Sequence, residues 1–375
     1  MKVLLLSAYA AQSHVYWQRG LQQMFPGWDW TCLALPPRYF SWRVRGNPLV
    51  WSLGERETLQ RGWDLVIATS MVDLATLRGL VPSLAAIPTL LYFHENQFDY
   101  PQDRQQHSLL EAQMVSLYSA LAADRIAFNS AYNRDTFIAG CAELLARLPD
   151  KVPSGIPEVL QEKSTLLPVP LLSQPGVSPC WPGVAGDIAD RPLRILWSAR
   201  FEHDKGGEGL YAILGQLEAS DTDYELAVTG QQFRNSPAVF ARIEIEFKHR
   251  LVQFGYLEST AEYASLQAAA DFVLSTATHE FQGLAMLQAV QAGCVPVAPD
   301  RLAYRELYDH RYRYLSSPGS PEKEANSAVK LIVELAAQLR SGALAAPDVS
   351  RFSLKRSKPA YRAEIQSLLA AQDSQ

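Results

Sequence analysis

The chain alternates short, continuously apolar runs with longer segments that are apolar on one side only. A strand buried on both faces of a parallel sheet is apolar throughout, whereas a helix that covers the sheet needs one apolar stripe. The apolar runs predict strands over 2–7, 63–69, 88–93, 125–129 and 165–169, and then over 193–198, 224–229, 251–254, 271–275 and 295–298. The segments between them predict helices, among them 14–24, 73–79, 109–122, one beginning near Tyr132 and a last one over 359–371.

This alternation predicts an α/β protein with two doubly wound, Rossmann-like domains. The segment 173–192 is rich in proline and glycine, which predicts a linker. We therefore expect an N-terminal domain over 1–172, the linker, a second domain over 193–350 and a C-terminal segment over 351–375 that returns to the first domain. Ligands of such sheets bind beyond the carboxyl ends of the strands, so polar residues at those ends are the first candidates for a site.

Composition agrees with two packed domains. The 375 residues are 48% hydrophobic and 19% charged, which is enough for two cores and unlike a disordered chain. No apolar run reaches the length of a membrane span, and the first run lacks the flanks of a signal peptide. The four cysteines are scattered without the spacing of a metal site. We expect free thiols, no metal, no membrane or obligate protein partner, and a reducing cytoplasm.

One turn carries most of the candidate chemistry. After strand 271–275 the chain reads Thr276-Ala-Thr-His-Glu280-Phe-Gln-Gly283 and continues as a helical segment through Gln288. Gly283 permits a close approach of backbone to ligand, and the N–H groups at a helix start suit a phosphate. Glu280 and Gln288 are eight positions apart, near two helical turns, so both can reach one ligand. The alternative is an ordinary turn with a surface glutamate.

Two basic residues follow the first strand of the second domain. Arg200 and Lys205 would neutralise a leaving diphosphate there, because arginine offers a two-pronged donor and lysine a mobile point charge. Gly230 and the pair Gly255-Tyr256 end the next two strands, where they would let a base and a ribose approach the backbone. Many parallel strands end in glycine, so these glycines are the weaker signal.

The first domain places polar residues at three strand ends. His94 directly follows the buried strand 88–93, and we expect it to face the reaction centre, with the next three residues holding a polyol acceptor. The alternative is a helix cap or a buried histidine with a structural partner. The remaining candidates are Glu95, Asn96, Gln97, the pair Ser13-His14 after strand 2–7, expected at the diphosphate, and Asn129.

Charge is distributed unevenly. The net charge of −5 argues against a general nucleic-acid binder, but two stretches are basic and free of acids. The first stretch mixes arginine with aromatic residues, a mixture that suits unstacked bases and phosphates. It contains Arg38, Trp42, Arg43 and Arg45. The second stretch, 351–362, has five basic residues. Taken alone, either stretch is typical of a solvated face or a structural loop, and the first is the stronger sign of RNA binding.

The turn around Glu280 resembles the E-x7-E signature of retaining nucleotide-sugar glycosyltransferases with the GT-B fold, in which two Rossmann-like domains face a central cleft. The resemblance implies that Glu280 binds the donor sugar and that the following amides bind sugar and phosphate. It also implies that position 288 binds the ribose, and that Arg200 and Lys205 replace a metal. This chain has Gln288 where the signature has a second glutamate; an amide still bonds a hydroxyl but carries no charge.

A closer resemblance covers nearly the whole chain. Its motifs are Ser13-His14, Trp42-Arg43-x-Arg45, His94-Glu-Asn-Gln97 with Tyr100-Pro101, Phe128-Asn-Ser130, Glu202-His-Asp-Lys205 and His279-Glu-Phe281. These motifs are similar to those of the tRNA-queuosine mannosyltransferase family. The resemblance implies transfer of mannose from GDP-mannose to the cyclopentenediol of queuosine in the anticodon loop of tRNA, with no metal or further cofactor.

Together these patterns assign residues to three roles. The reaction itself is assigned to His94, Arg200, Lys205 and Glu280. Donor binding is assigned to Ser13, His14, Gly230, Gly255, Tyr256, His279, Phe281, Gln282, Gly283 and Gln288. Acceptor binding is assigned to Arg38, Trp42, Arg43, Arg45, Glu95, Asn96, Gln97 and Asn129.

Three other functions stay open at this point. One is a sugar transferase acting on a small-molecule or lipid acceptor. Another is an RNA-binding protein whose transferase site has decayed, a reading that Gln288 invites and that intact Arg200, Lys205 and Glu280 oppose. A nucleotide-sugar epimerase of the same fold is the third, and it would not need the arginine–aromatic stretch.

Overall fold

The computed structural model describes residues 1–99, 109–173 and 176–372. The motif residues Tyr100 and Pro101 lie outside the described residues. The chain forms two compact units, one made of Met1–Leu172 with Phe352–Gln375 and the other of Ser173–Arg351. No helix among the described residues is both long and apolar enough to cross a membrane.

The first unit is built on a six-stranded parallel sheet with the order β2-β1-β3-β4-β5-β6. Its strands are β1 (Lys2–Ser7), β2 (Asp29–Ala34), β3 (Leu65–Thr69), β4 (Thr89–Phe93), β5 (Arg125–Phe128) and β6 (Ser164–Leu166). Its first seven helices are α1 (Gln12–Met24), α2 (Phe40–Gly54), α3 (Arg56–Leu59), α4 (Leu74–Leu80), α5 (Leu110–Ala122), α6 (Ala131–Ala146) and α7 (Ile156–Glu162). Every residue of β3 and β4 is buried, as expected of strands covered on both faces.

The second unit repeats this plan with the strand order β12-β11-β10-β7-β8-β9, again all parallel. Its strands are β7 (Leu193–Ser198), β8 (Tyr224–Thr229), β9 (Leu251–Gly255), β10 (Phe272–Leu274), β11 (Val295–Pro299) and β12 (Arg313–Tyr314). Its helices are α8 (Gly207–Glu218), α9 (Ala238–Glu246), α10 (Thr260–Ala269), α11 (Leu284–Gln291), α12 (Tyr304–Leu307) and α13 (Pro321–Arg340). The chain then returns to the first unit as α14 (Leu354–Gln372).

Several elements differ from the sequence expectation. The edge strand β2 was not predicted, because its residues are half-buried and mixed in polarity. Helix α2 was not predicted either, since Pro48 lies inside it, and proline removes a helical hydrogen bond. Tertiary contacts support α2: the Asn47 amide donates to the Met71 carbonyl (3.2 Å) and accepts from the Asp73 amide (3.2 Å).

The last helix also begins earlier than predicted. It starts at Leu354 and passes through Pro359, where the prediction placed its first residue. Proline leaves the carbonyl four residues earlier without a helical donor, and that carbonyl belongs to Lys355, an exposed residue that water can reach. The buried side of α14 carries Tyr361, Ile365 and Leu368, which hold it against the sheet.

Candidate active site

The turn after β10 surrounds a half-buried lysine. The Lys205 ammonium lies 3.0 Å from the His279 carbonyl oxygen, 3.4 Å from Glu280 Oε2 and 3.0 Å from Asp204 Oδ2. The Lys205 side chain is 12% exposed and that of Glu280 26%. The structure therefore brings together two residues that lie 75 positions apart in the chain.

Charge stabilises this pair in its ionised form. Burial opposes the positive charge of Lys205, but Glu280 and Asp204 together raise its pKa well above the ordinary value. Burial would likewise raise the pKa of Glu280, yet Lys205 and the backbone N–H groups of Gly283 and Gln282 hold it below the ordinary range. The site thus contains a fixed cation beside a fixed carboxylate.

Backbone and side-chain bonds connect the turns after β7 and β10. The Thr276 hydroxyl donates to the Lys205 carbonyl (2.9 Å) and accepts from the indole of Trp197 (3.0 Å). The amides of Thr278 and His279 donate to the Asp204 carbonyl at 2.9 and 3.2 Å. These bonds hold the backbone of Asp204 and Lys205 against the turn after β10. The charge partners of Lys205 then fix the position of its ammonium group.

Gly206 makes this close approach feasible. Its φ is +73°, and a Cβ at this position would lie 2.0 Å from the Thr276 carbonyl oxygen, so a larger residue would push the two turns apart. Sequence reasoning missed Gly206, although a glycine directly after the Arg200–Lys205 motif was the signal. Asp204 was missed as well, although it stands inside the same motif.

The start of α11 completes the charged site. Gly283 has φ +68° and directly precedes the helix, whose first backbone bond runs from the Leu287 amide to the Gly283 carbonyl (2.9 Å). The first turn of any helix presents N–H groups without intrahelical acceptors and the positive end of the helix dipole. Lys205, Glu280 and Gly283 line one small pocket with Trp197, Ser198 and Tyr304. This arrangement can bind a phosphate and, through the carboxylate, a hydroxyl.

Apart from Ser13 and His14, which belong to the first unit, the other predicted donor residues lie on the same unit. Gln288 is half-buried on α11, and His279 is buried with its ring edge-on to Phe281 (centroids 4.6 Å apart). Gln282 is also buried. Arg200 is exposed after β7, where it pairs with Glu202 at 2.9 Å. Of the remaining three, Gly230 directly follows β8, Gly255 is the last residue of β9, and Tyr256 comes directly after it. The Tyr256 side chain is half exposed.

Tyr304 and Arg301 support the turn after β10, and they lie on segments that the sequence did not connect to it. The Tyr304 hydroxyl bonds the Ser275 hydroxyl (2.7 Å), and Arg301 Nε donates to the Ala277 carbonyl (2.9 Å). Arg301 also pairs with the buried Glu324 of α13. No local motif announces these contacts, because they join segments that are distant in the chain.

In the first unit, His94 lies in an aromatic box. Its ring stacks on His14 with centroids 4.0 Å apart and 17° between the planes. Its other neighbours are Trp17 at 4.9 Å and Tyr92 at 4.7 Å. Burial, and then the neighbouring His14, lower the pKa of His94 well below its ordinary value, so the ring is neutral near pH 7. His94 Nε2 has no hydrogen-bond partner among the described residues.

Hydrogen bonds beneath the box fix its rings. The Trp17 indole donates to the Tyr361 hydroxyl (3.0 Å), and that hydroxyl donates to the Leu167 carbonyl (3.1 Å). The Tyr92 hydroxyl donates to the same carbonyl at 2.7 Å. Helix α14 therefore helps to hold the platform on which His94 rests.

The polar residues after His94 fix their own loop. The Asn129 amide donates to the His94 carbonyl (2.8 Å), and the Asn96 amide donates to Asn133 Oδ1 (2.9 Å). Gln97 is buried, with its amide 3.8 Å from the sulfur of Met71. Glu95 is half-buried and Ser13 is exposed in the first turn of α1. The hydrogen bonds seen here hold the loop in its conformation. Acceptor binding by Asn96, Gln97 and Asn129 stays a prediction.

The arginine–aromatic stretch covers the start of α2. Tyr39 has a left-handed backbone (φ +55°) and is 71% exposed, Trp42 is 51% exposed, and Arg38 is exposed over the Tyr39 ring. Arg43 is half-buried. Arg45 is tied to Asp73 at 2.5 Å and to Glu111 at 3.2 Å, so it already has carboxylate partners. Exposed rings on a strained backbone are a feature of binding surfaces.

Two parallel Rossmann-like sheets, with a half-buried lysine–glutamate pair at a helix start, define a glycosyltransferase of the GT-B fold. The chain is similar to HepE from Anabaena, solved in complex with UDP (TM-score 0.63, 14% identity, 98% of this chain and 100% of that chain). It is also similar to sucrose-phosphate synthase from Thermosynechococcus elongatus (TM-score 0.65, 15% identity, 99% and 100%). Residues 185–341 match the family model for group 1 glycosyl transferases.

The first unit narrows the assignment. Residues 2–171 match the family model of the tRNA-queuosine alpha-mannosyltransferase N-terminal domain. The tRNA-queuosine alpha-mannosyltransferase of Drosophila melanogaster is 32% identical over 327 residues, which are 86% of this chain and 86% of that protein. The chain therefore belongs to the tRNA-queuosine alpha-mannosyltransferase family, and the predicted fold, family and enzyme class are confirmed.

Proposed function

We propose that this protein transfers mannose from GDP-mannose to queuosine in the anticodon loop of tRNA, with retention of configuration and without a metal ion. Membership of the family supports the sugar and the acceptor nucleoside. The observation that supports the chemistry is the Lys205–Glu280 pair at the start of α11. A tRNA acceptor and four free thiols fit a cytoplasmic enzyme, which is part of the proposal.

The charged site suits the donor. As the glycosidic bond breaks, negative charge builds up on the departing diphosphate, and preorganised donors lower the barrier. Protonated Lys205, the start of α11 and the exposed Arg200 supply that positive charge, the part that a metal plays elsewhere. The Glu280 carboxylate accepts hydrogen bonds from sugar hydroxyls, and Gln288 bonds the ribose.

The uncharged aromatic box around His94 suits the transferred sugar. Positive charge develops at the anomeric carbon in the transition state, and a neutral imidazole does not repel it. His94 Nε2 can therefore bond a sugar hydroxyl without an electrostatic penalty. We assign no protein nucleophile, so the acceptor hydroxyl attacks from the face that the diphosphate leaves, which retains the configuration.

The acceptor surface is the exposed start of α2. Tyr39 and Trp42 can stack on a splayed anticodon base, while Arg38 and Arg43 bond phosphates. Since Arg45 is held by Asp73 and Glu111, we assign it to anchoring α2 as well as to the tRNA.

One experiment tests the whole proposal. Purified protein is incubated with queuosine-containing tRNA and, in parallel, GDP-mannose, UDP-glucose or UDP-galactose, with and without EDTA, and the tRNA nucleosides are analysed by mass spectrometry. We expect queuosine to gain one hexose from GDP-mannose, with EDTA present, and an α-mannosidase to remove it. Transfer to small polyols or lipids alone would favour the small-acceptor alternative. Binding of tRNA without any transfer would favour a decayed site.

A further inference from the structure

Helix α14 carries a basic stripe that the donor and acceptor sites leave unexplained. Four cations lie in its first nine residues: Lys355, Arg356, Lys358 and Arg362. The fifth cation of the same sequence run, Arg351, belongs to the second unit and donates to the Glu306 carbonyl (2.7 Å). The structure thus separates one anchored arginine from four cations on a single helix.

Three of these cations lie on one side of the helix. Lys355, Lys358 and Arg362 recur at helical spacing and line a shallow surface groove together with Pro359 and Gln366. From position 355 to position 362 the helix rises about 10 Å. The stripe is therefore long enough to meet several consecutive charges of an extended polyanion.

No carboxylate neutralises the stripe. Within the described chain none of the four cations forms an ion pair, and Lys358 makes a cation–π contact with Phe25 at 5.8 Å. The nearest acid along α14, Glu364, is directed to Arg125 (3.4 Å). An unpaired row of cations in a protein of net charge −5 points to an anion outside the chain.

The helix itself gains nothing from this placement. Cations near a helix N-terminus oppose the positive end of the dipole, and acidic residues would stabilise that turn. The first turn of α14 has no acidic residue. The arrangement therefore works against local helix stability, so the helix's own stability does not account for it.

The surroundings of the stripe favour RNA over a membrane. A helix that lies on a bilayer inserts an apolar face, but the apolar face of α14 is buried through Tyr361, Ile365 and Leu368. The other exposed residues of α14 itself are small or polar, and none is aromatic. Without rings to stack on bases, such a surface contacts phosphates in a paired stem.

We propose that the α14 stripe binds the phosphate backbone of the tRNA outside the anticodon stem-loop, as a second contact besides the α2 surface. This inference rests on the proposed function, because it takes tRNA as the acceptor. The stripe raises the affinity for whole tRNA and contributes nothing to recognition of queuosine itself.

The test assays two RNA substrates with the wild type and with two variants, each of which lacks three positive charges. The stripe variant is Lys355→Gln, Lys358→Gln and Arg362→Gln. The control variant, Lys2→Gln, Arg56→Gln and Arg61→Gln, removes three exposed cations from the same unit that are not on α14. Each protein is assayed for kcat/KM with full-length queuosine tRNA and with a queuosine-containing anticodon stem-loop, over a range of salt concentrations, after thermal melting confirms folding.

For the wild type and the control variant we expect full-length tRNA to be preferred. For the stripe variant this preference should fall about tenfold, and the log–log salt dependence of KM for whole tRNA should become shallower by about 2, since each phosphate contact releases close to one counterion. A stripe variant with the same preference and salt dependence as the control variant would overturn the inference. Loss of binding to phosphatidylglycerol vesicles with an unchanged tRNA preference would overturn it in favour of a membrane. If the wild type modifies neither RNA, the proposed function fails instead.

Discussion

The two units carry the same four-residue pattern, His-Glu-x-Gln, in a loop that follows a buried parallel strand. One copy is His94 to Gln97 after β4, and the other is His279 to Gln282 after β10. In the second unit the glutamate of the pattern pairs with the half-buried Lys205 (3.4 Å). In the first unit the histidine stacks in an aromatic box (4.0 Å from His14). The chemistry therefore resides in the neighbours of the pattern and not in the pattern itself.

The two environments suit opposite charges. The loop after β10 has an ionised glutamate and a helix start and faces the protonated Lys205 of the turn after β7. This environment fits a diphosphate that becomes more negative as it leaves. The loop after β4 has a neutral imidazole among aromatic rings, which tolerates a sugar that becomes more positive. Each loop can be tested separately, because each belongs to a different compact unit.

The largest effect is expected from the cation that pairs with the glutamate of the β10 loop. Lys205→Ala should lower kcat about a hundredfold or more, since the leaving diphosphate loses a preorganised partner. Arg200→Ala should also cripple turnover, with less effect on folding because Arg200 is exposed. Steady-state kinetics with tRNA and GDP-mannose measure both.

Lys248→Ala is the matched control, since Lys248 is an exposed lysine of the same unit. Thermal melting separates a catalytic loss from unfolding, because Lys205→Ala leaves Asp204 and Glu280 without their shared cation. Near-normal turnover by both Lys205→Ala and Arg200→Ala would remove the diphosphate assignment and, with it, the contrast between the two loops.

A smaller effect is expected at the polar position of α11. If Gln288 bonds the ribose, Gln288→Ala should weaken donor binding by about 1–3 kcal/mol, the value of a hydrogen bond lost at a partly buried group. Gln288→Glu should bind the donor as well as the wild type or better. Isothermal titration with GDP measures all three proteins. Gln291→Ala, an exposed position on the same helix, serves as the control, and equal affinities for both alanine variants would place Gln288 outside the site.

The acceptor side can be tested through the α2 surface. Replacing Arg38, Arg43 and Arg45 with alanine should raise KM for tRNA about tenfold and flatten its salt dependence by about 2, because phosphate contacts are lost. Hydrolysis of the donor without tRNA reports on the second unit and serves as the internal reference. A triple variant that modifies tRNA normally at every salt concentration would contradict the assignment of α2 to RNA.

The smallest effect concerns the neutral histidine. Since burial lowers the pKa of His94 in the folded state, the unfolded chain takes up its proton first as the pH falls. Stability contributed by neutral His94 is therefore present above about pH 6.5 and is lost below it, by at most about 1.4 kcal/mol per pH unit. Chemical denaturation between pH 7.5 and 5 should show a shallower pH dependence for His94→Gln than for the wild type. His203→Gln, at an exposed histidine, should keep the wild-type dependence.

Much of this fold was accessible from patterning. Continuous apolar runs predicted five of the strands in each sheet, because a strand covered on both faces has no polar side to obscure it. Strand β2 was missed because it is an edge strand, and α2 because Pro48 and Gly46 interrupt its pattern. Helix α13 was also not predicted, although its buried residues Ala325, Ala328 and Ile332 recur at helical spacing.

The residue types of the site could be predicted from the sequence, and so could the family that its motifs resemble. Strand ends, a glycine before a helix and a basic pair are local features, so they can be recognised without coordinates. The side chains that contact those residues could not be predicted from the sequence. The contact of Lys205 with Glu280, the stacking of His14 on His94 and the attachment of Tyr361 beneath Trp17 join segments 75, 80 and 344 positions apart. Such contacts are set by how helices pack on the sheets. The carboxylates of Glu280 and Asp204 keep Lys205 charged against its burial, whereas burial keeps His94 neutral.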